Sequence, residues 1–303
     1  MWDHEVDLIS IGAGIGGLAG AIATVDAGGD VLVAGAPTVR PYGETAVATR
    51  HRVHSLRGWL PTAIADPDTR DFFAGFAEWV PESAFVARDV PVPVRVATPI
   101  AGGQPEPFLG SRLADWAATC LTSPYGMLYS NVFGWGRTTM RAADGGTIEV
   151  APLGTMTCRQ GVGAAALREW MADEARDRGI DVLDDTPLSR LVFEAGRVTG
   201  AVFTTPDGEF AVRARRGVTM APDDQDWITP ACAEGPADGE SRRVCLVGRT
   251  AGRFGRVELL AAERPSRAED IRTACPATRR SLLVGLHDAR QARSALGRCG
   301  KVD

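Results

Sequence analysis

The chain has 303 residues, 45% of them hydrophobic and 23% charged, which suffices for one large or two modest domains and excludes wholesale disorder. The formal net charge of −5 excludes a chain that binds nucleic acid through overall basicity. That charge is unevenly spread: residues 241–303 hold 14 basic and 6 acidic residues, the remainder 19 and 32, so an acidic body precedes an arginine-rich end.

In chain order, residues 6–11 form an apolar run with β-branched members, the pattern of a buried strand. Gly12-Ala13-Gly14-Ile15-Gly16-Gly17 follows, and residues 18–27 read as an Ala-rich helix stopped by Gly28 and Gly29. Val31-Leu32-Val33 reads as a second buried strand, so strand, glycine turn, helix and strand follow one another at the spacing of a βαβ unit. Residues 35–58 are loop-like and carry the basic patch Arg50, His51, Arg52 and His54. Residues 66–80 predict a helix with Phe72, Phe73, Phe76, Trp79 and Val80 on one face, and Pro81 stops it. Residues 81–110 are Pro/Gly-rich, and residues 112–121 predict another helix. Residues 138–142 and 147–151 read as a hairpin across Asp144-Gly145-Gly146. A strong helix over 163–178 is capped by Gly179 and precedes a strand at 180–183. Residues 188–194 and 197–205 form a hairpin about Ala195-Gly196, followed by a third antiparallel strand at 210–214 and a short return strand at 218–221. Residues 231–243 read as a linker, and the change in charge sign places a boundary near 240.

Six cysteines, at 120, 158, 232, 245, 275 and 299, form no CxxC pair, and the four histidines lack ligand-spaced partners. These patterns predict reduced thiols in a cytoplasmic chain and no metal site. The acidic start Met1-Trp2-Asp3-His4-Glu5 predicts no signal peptide, and the longest apolar segment, residues 18–25, is too short to be a transmembrane segment.

The motif that carries chemistry is Gly12-x-Gly14-x-x-Gly17, with Ala21 four residues on. In the strand–turn–helix context Gly12 permits the tight turn, Gly14 lets a pyrophosphate approach the backbone, and Gly17 and Ala21 let helix and sheet pack closely. The helix N-terminus then presents N–H groups and the positive end of its dipole to the anion. A dinucleotide site also wants an acidic residue after the second strand, for the ribose hydroxyls. That place falls on Gly35 and Ala36, where no Asp or Glu stands.

Residues 7–21, Asp7 through the glycine turn to Ala21, resemble the N-terminus of FAD-dependent oxidoreductases. Residues 161–192 and the Gly196-Arg197-Val198-Thr199-Gly200-Ala201-Val202 segment resemble the helix, strand and hairpin of the fumarate reductase, succinate dehydrogenase and 3-ketosteroid Δ1-dehydrogenase flavoproteins. The resemblance implies an α/β chain: a Rossmann-like FAD/NAD(P)-binding domain from residues 1–58 and 146–230, an inserted cap or substrate region over 59–145, and a small basic C-terminal segment over 241–303. It implies non-covalent FAD, its pyrophosphate on Gly12, Ala13, Gly14, Ile15, Gly16 and Gly17, and further contacts at Gly35, Ala36 and Ser189. It also implies a loop toward the flavin ring that Gly43, Thr45 and Ala46 partly match. The chain departs from the pattern at Gly35, at Pro222-Asp223 where those flavoproteins carry Gly-Gly, and in residues 241–303, which hold no glycine-rich flavin-closing segment.

Flavin enzymes need a substrate clamp and a proton donor beside the ring. The candidates are Arg50, within its His51/Arg52/His54 patch, and Tyr125, with Tyr129 nearby; the alternative readings are a solvated basic loop and core aromatics. Arg279, Arg280, Arg290, Arg293 and Arg298 flank an apolar stretch in a helical pattern over 277–296. That pattern suggests docking on the acidic body or on a second copy of the chain, or an acidic protein partner or membrane surface, with a drifted remnant as the other reading. Three functions stand side by side. The first is an FAD-dependent oxidoreductase moving hydride between flavin and a small organic or steroid-like substrate. The second is a non-catalytic protein of flavoprotein fold that has lost FAD and acts as a binding or accessory subunit. The third is an NADP-binding reductase using Arg40 for the 2′-phosphate.

Overall fold

A computed structural model describes residues 1–35, 64–77, 92–100, 111–131, 137–157, 163–184, 186–222, 239, 241–249 and 252–261. The chain divides into two units, Met1–Glu263 and Arg264–Asp303, and the second lies outside the described residues. Among the described residues no helix is long and apolar enough to cross a membrane.

The first elements are β1 (His4–Ile11), α1 (Ile15–Asp26) and β2 (Val31–Ala34). Residues of α1 from Ile15 to Thr24 are buried, as its unbroken Gly/Ala/Ile/Leu composition requires. It ends where Gly28 adopts a φ of +76°, and the Gly29 N–H donates to the Thr24 carbonyl at 2.9 Å. β1 and β2 pair in parallel, Leu8 opposite Val31 through Ile11 opposite Ala34. The expected βαβ arrangement is present.

The middle of the chain supplies α2 (Pro67–Ala77), β3 (Val94–Pro99), α3 (Ser111–Leu121), β4 (Gly126–Tyr129), β5 (Thr138–Ala142) and β6 (Thr147–Thr157). Asp66 caps α2, its carboxylate accepting from the Thr69 N–H at 2.9 Å and hydroxyl at 2.6 Å. Then come α4 (Ala164–Asp177), β7 (Val182–Leu183), β8 (Leu188–Glu194), β9 (Arg197–Thr205), β10 (Gly208–Met220), β11 (Ser241–Gly248) and β12 (Phe254–Ala261).

These twelve strands form one sheet, in the order β11-β6-β5-β3-β12-β4-β10-β1-β2-β7, with β8 and β9 joined to it through β10. β11 also pairs with β12, so β11, β6, β5, β3 and β12 close on themselves as a five-stranded ring. β10 is the hinge of the topology. Its first half pairs antiparallel with β9, and its second half runs parallel to β1 and meets β4. The two strands expected at 210–214 and 218–221 are therefore one. Gly217, at φ +149°, lets it continue where an ordinary residue would be strained.

Two apolar clusters lie among the described residues. One holds Ile15, Leu18, Ile22, Val33, Tyr125, Met127, Leu167 and Met171, and joins α1 and α4 to the sheet. The other holds Ile9, Leu32, Trp116, Met140, Ile148, Phe203 and Val247, and draws in α2, α3 and the strand ring. Along β11, Val244 and Leu246 belong to the first cluster and Cys245 and Val247 to the second, the period-2 alternation of a strand buried on both faces.

The expected boundaries do not coincide with breaks in this sheet. Residues assigned to the cap, 59–145, contribute β3, β4 and β5, and the arginine-rich end contributes β11 and β12. The charge change near 240 falls at the start of β11 and marks no break in the sheet. The apolar alternation of β11 and β12 still drives both strands into the interior. β12 also brings in the fully buried Glu258. Arg95 Nη2 donates to its Oε1 at 3.0 Å and Arg95 Nε to its Oε2, while Arg256 Nε donates to Oε1 at 2.9 Å. Burial by itself would raise the Glu258 carboxyl, but these two guanidinium groups outweigh it and hold the group below its ordinary value. Trp116 receives Arg249 and Arg256 over its ring, 5.3 and 5.6 Å from its centroid.

Candidate functional site

The glycine turn between β1 and α1 is where the sequence motif and the packing meet. Gly12 has a φ of +93°, and its N–H donates to the Ala34 carbonyl at 2.8 Å, which ties the turn to the end of β2. A Cβ on Gly12 would fall on the carbonyl oxygen of Ala221, just past the end of β10. A Cβ on Gly17 would fall on the carbonyl oxygen of Gly12 and lie 3.0 Å from Ser10 Oγ. Neither position tolerates a side chain without moving backbone. The buried Ser10 hydroxyl donates to the Gly17 carbonyl at 3.1 Å and pins the start of α1 to the end of β1.

Two further approaches hold the turn in place. The Ala221 N–H donates to the Ile11 carbonyl at 2.9 Å. On the other side Gly16 abuts Gly126, where an added Cβ would meet the Gly126 carbonyl and the Met127 Cβ. Gly126 in turn has no room for a side chain against the Cys120 carbonyl at the end of α3. The turn thus sits between β10 and β4, strands far from it in sequence.

Gly12, Ala13, Gly14, Ile15, Gly16 and Gly17 form the turn and the start of α1, all buried except the half-buried Ala13. Gly14 occupies the N-cap position of α1 in extended conformation, with no side-chain cap and no acidic residue in the first helical turn. This arrangement fits an anion: the dipole end is positive and no carboxylate of the helix opposes it. It also fits the pyrophosphate of a dinucleotide, which needs a glycine-lined approach to backbone N–H groups.

Gly35 follows β2 and is buried, and its N–H donates to the Leu183 carbonyl at 2.9 Å. No acid stands at this strand end, but Asp184, just past β7, lies close by: a Cβ on Gly35 would lie 3.6 Å from Asp184 Oδ1. Asp184 was missed because it belongs to another element, although Asp184-Asp185 directly after an apolar strand was a visible signal.

Ser189 lies in β8, where the register shifts between Leu188 and Arg190, and it reaches the βαβ unit only through β9 and β10. Tyr125, the proton-donor candidate, is fully buried in the cluster that holds Ile15 and Met127. Tyr129 is buried too, its hydroxyl 2.9 Å from the Met127 sulfur, and burial pushes its phenol well above the ordinary range. Ala36, Arg40, Gly43, Thr45, Ala46, Arg50, His51, Arg52, His54, Asp223, Asp224 and the arginines of 277–298 lie outside the described residues.

Among the described residues no group of three or more His, Cys, Asp or Glu is placed to hold a metal ion. Cys120 and Cys245 are buried free thiols. Burial raises both, Cys245 to about 12, so neither is a ready nucleophile.

Residues 110–231 match the family model of the FAD binding domain. The chain resembles the FAD-binding flavoproteins. FAD is the cofactor to which this match points. The matched stretch contains β4 and β10, the two strands that pack on the glycine turn. No curated protein is similar enough to count as a match. Among solved structures the chain is similar to 3-ketosteroid-Δ4-(5α)-dehydrogenase from Rhodococcus jostii RHA1 in complex with 4-androstene-3,17-dione. That likeness has 22% identity and a TM-score of 0.29, over 72% of this chain and 46% of that one. It is similar to a flavocytochrome c3 fumarate reductase in an open conformation at 15% identity and a TM-score of 0.29, over 70% of this chain and 33% of that one. It is also similar to the Mycobacterium smegmatis Sdh1 complex at 16% identity and a TM-score of 0.25, over 71% and 34%. The chain thus spans less than half the length of each of these structures.

Proposed function

We propose that this chain is an FAD-dependent oxidoreductase, or the FAD-binding part of one, acting on a small organic or steroid-like substrate. The reading rests above all on the close approach of Gly17 to Gly12 beside the uncapped start of α1. Its β1–α1–β2 unit is then the first unit of a Rossmann-like dinucleotide-binding domain. The first-turn N–H groups of α1 would take the pyrophosphate, and Gly12 and Gly17 keep β1, α1 and β10 close enough to hold those groups fixed. Bound flavin would supply hydride transfer, a chemistry that no described side chain offers. Ser10 and the Gly16–Gly126 contact hold the turn against the sheet, so that the donors need no rearrangement on binding.

The visible spectrum of the purified chain, before and after addition of FAD, tests the reading. Flavin absorbance at about one flavin per chain is the expected result. A colourless protein that takes up no added FAD refutes it.

A second reading is supported by the burial of Tyr125, the expected proton donor, within an apolar cluster. In it the chain holds FAD but completes a reaction only with another subunit. Turnover of a 3-ketosteroid or fumarate with a redox dye by the FAD-loaded chain alone counts against this second reading.

A further inference from the structure

We infer that Asp184 is the ribose-binding carboxylate of the nucleotide site, supplied by β7 in place of the acidic residue that β2 lacks. The inference rests on the FAD reading above and assigns a residue of this chain to it.

The geometry is a chain of three contacts. Gly12, the first glycine of the turn, donates to Ala34 at the end of β2. Gly35 then donates to Leu183 at the end of β7. The parallel pairing of β2 with β7, Val33 opposite Val182 and Ala34 opposite Leu183, sets Gly35 beside Asp184. A side chain at 35 would start 3.6 Å from Asp184 Oδ1 and 3.5 Å from Val182 Cγ1. A glutamate grown from position 35 would carry its oxygens up to about 3.7 Å from its Cβ, by ordinary bond lengths. Asp184 therefore puts a carboxylate oxygen within the volume that a glutamate on β2 would reach.

The surroundings suit the role. Asp184 is exposed, and its backbone carbonyl accepts from the Thr186 hydroxyl at 3.0 Å, which fixes the turn that carries it. The site then has a positive helix end for the pyrophosphate and a negative group for the diol, the order in which an adenosine diphosphate moiety presents them. Gly35 becomes intelligible as well. A carboxylate at 35 together with Asp184 would bring two like charges within contact distance, a repulsion that glycine at 35 avoids. The same charge opposes a 2′-phosphate and sets the site against NADP.

The test is FAD titration of the full chain, followed by flavin fluorescence, for the wild type, Asp184→Asn, and Gly35→Glu combined with Asp184→Asn. Asp207→Asn, in the exposed β9–β10 turn, is the surface-charge control. Asp184→Asn is expected to weaken FAD about tenfold or more, the loss of a charge-assisted hydrogen bond. Its circular dichroism and melting temperature should match wild type, because the side chain is exposed. The double variant should recover affinity, since a side chain at 35 meets only ordinary contacts. The control should bind as wild type does. Equal affinity of Asp184→Asn and wild type, or no recovery in the double variant, overturns the assignment of Asp184 and leaves the FAD reading standing. A wild-type chain that binds no FAD overturns both.

Discussion

Gly17→Ala is the sharpest perturbation of the glycine turn. The added methyl would fall on the Gly12 carbonyl oxygen and within 3.0 Å of Ser10 Oγ. The oxygen is backbone and cannot swing aside, so α1 must retreat from β1 by on the order of 1 Å, an overpacking that costs about 1–3 kcal/mol. The same movement stretches the Ser10–Gly17 hydrogen bond, now 3.1 Å and buried, for about 1 kcal/mol more. Urea denaturation should therefore show a loss of about 2–4 kcal/mol. FAD titration should show weaker binding, because the helix N–H groups move with α1. Gly28→Ala is the matched comparison. Gly28 also has positive φ, at +76°, but nothing lies within 4 Å of an added Cβ, so only backbone strain of about 1 kcal/mol is expected. FAD affinity should be unchanged in that variant. If Gly17→Ala proves no less stable than Gly28→Ala, the close approach of α1 to β1 is wrong, and with it the main support for the nucleotide site.

Other consequences follow from the packing. Glu258→Ala should lower stability by about 3–5 kcal/mol in urea denaturation, because it leaves Arg95 and Arg256 without their shared buried carboxylate. The Glu258 carboxyl is held below its ordinary value in the folded state, so its contribution is fully present above the ordinary glutamate value of about 4.3. It is lost as the pH falls below that through the lowered folded value. Stability measured from neutral to acid pH should fall less steeply in Glu258→Gln than in wild type; equal slopes would count against the ion pair. Gly75→Ala, in the interior of α2 with nothing within 4 Å of the added methyl, should raise stability by about 0.5–1 kcal/mol. A lower melting temperature for this variant would show that α2 does not continue through Gly75.

The local elements were legible because each carries its own signal. The apolar run before Gly12, the hairpin about Ala195-Gly196 and the helix over 164–177 all sit within two residues of their expected bounds, and the Ala-rich helix before Gly28 starts three residues earlier than its pattern. Misreadings arose where an element's meaning depends on a distant partner. Tyr125 reads in the sequence either as a proton donor or as a core aromatic, and only its distant neighbours show it buried in the cluster with Ile15. The segments at 210–214 and 218–221 look like two strands because Arg215-Arg216 interrupts the apolar pattern. They are one because those arginines sit at the surface, pairing with Glu5, Asp7 and Asp30 while the strand continues.

By itself, the amino-acid order determined the glycine turn and its place between a strand and a helix, and with them the expectation of an anion on the helix N–H groups. Only the tertiary structure decided which backbone closes on that turn, how β11 and β12 complete the five-stranded ring, and that Asp184 stands where β2 carries no acid. The physical reason is common to all three. Strand pairing joins residues tens to hundreds of positions apart, through backbone groups that every residue possesses, and so leaves little mark in local sequence.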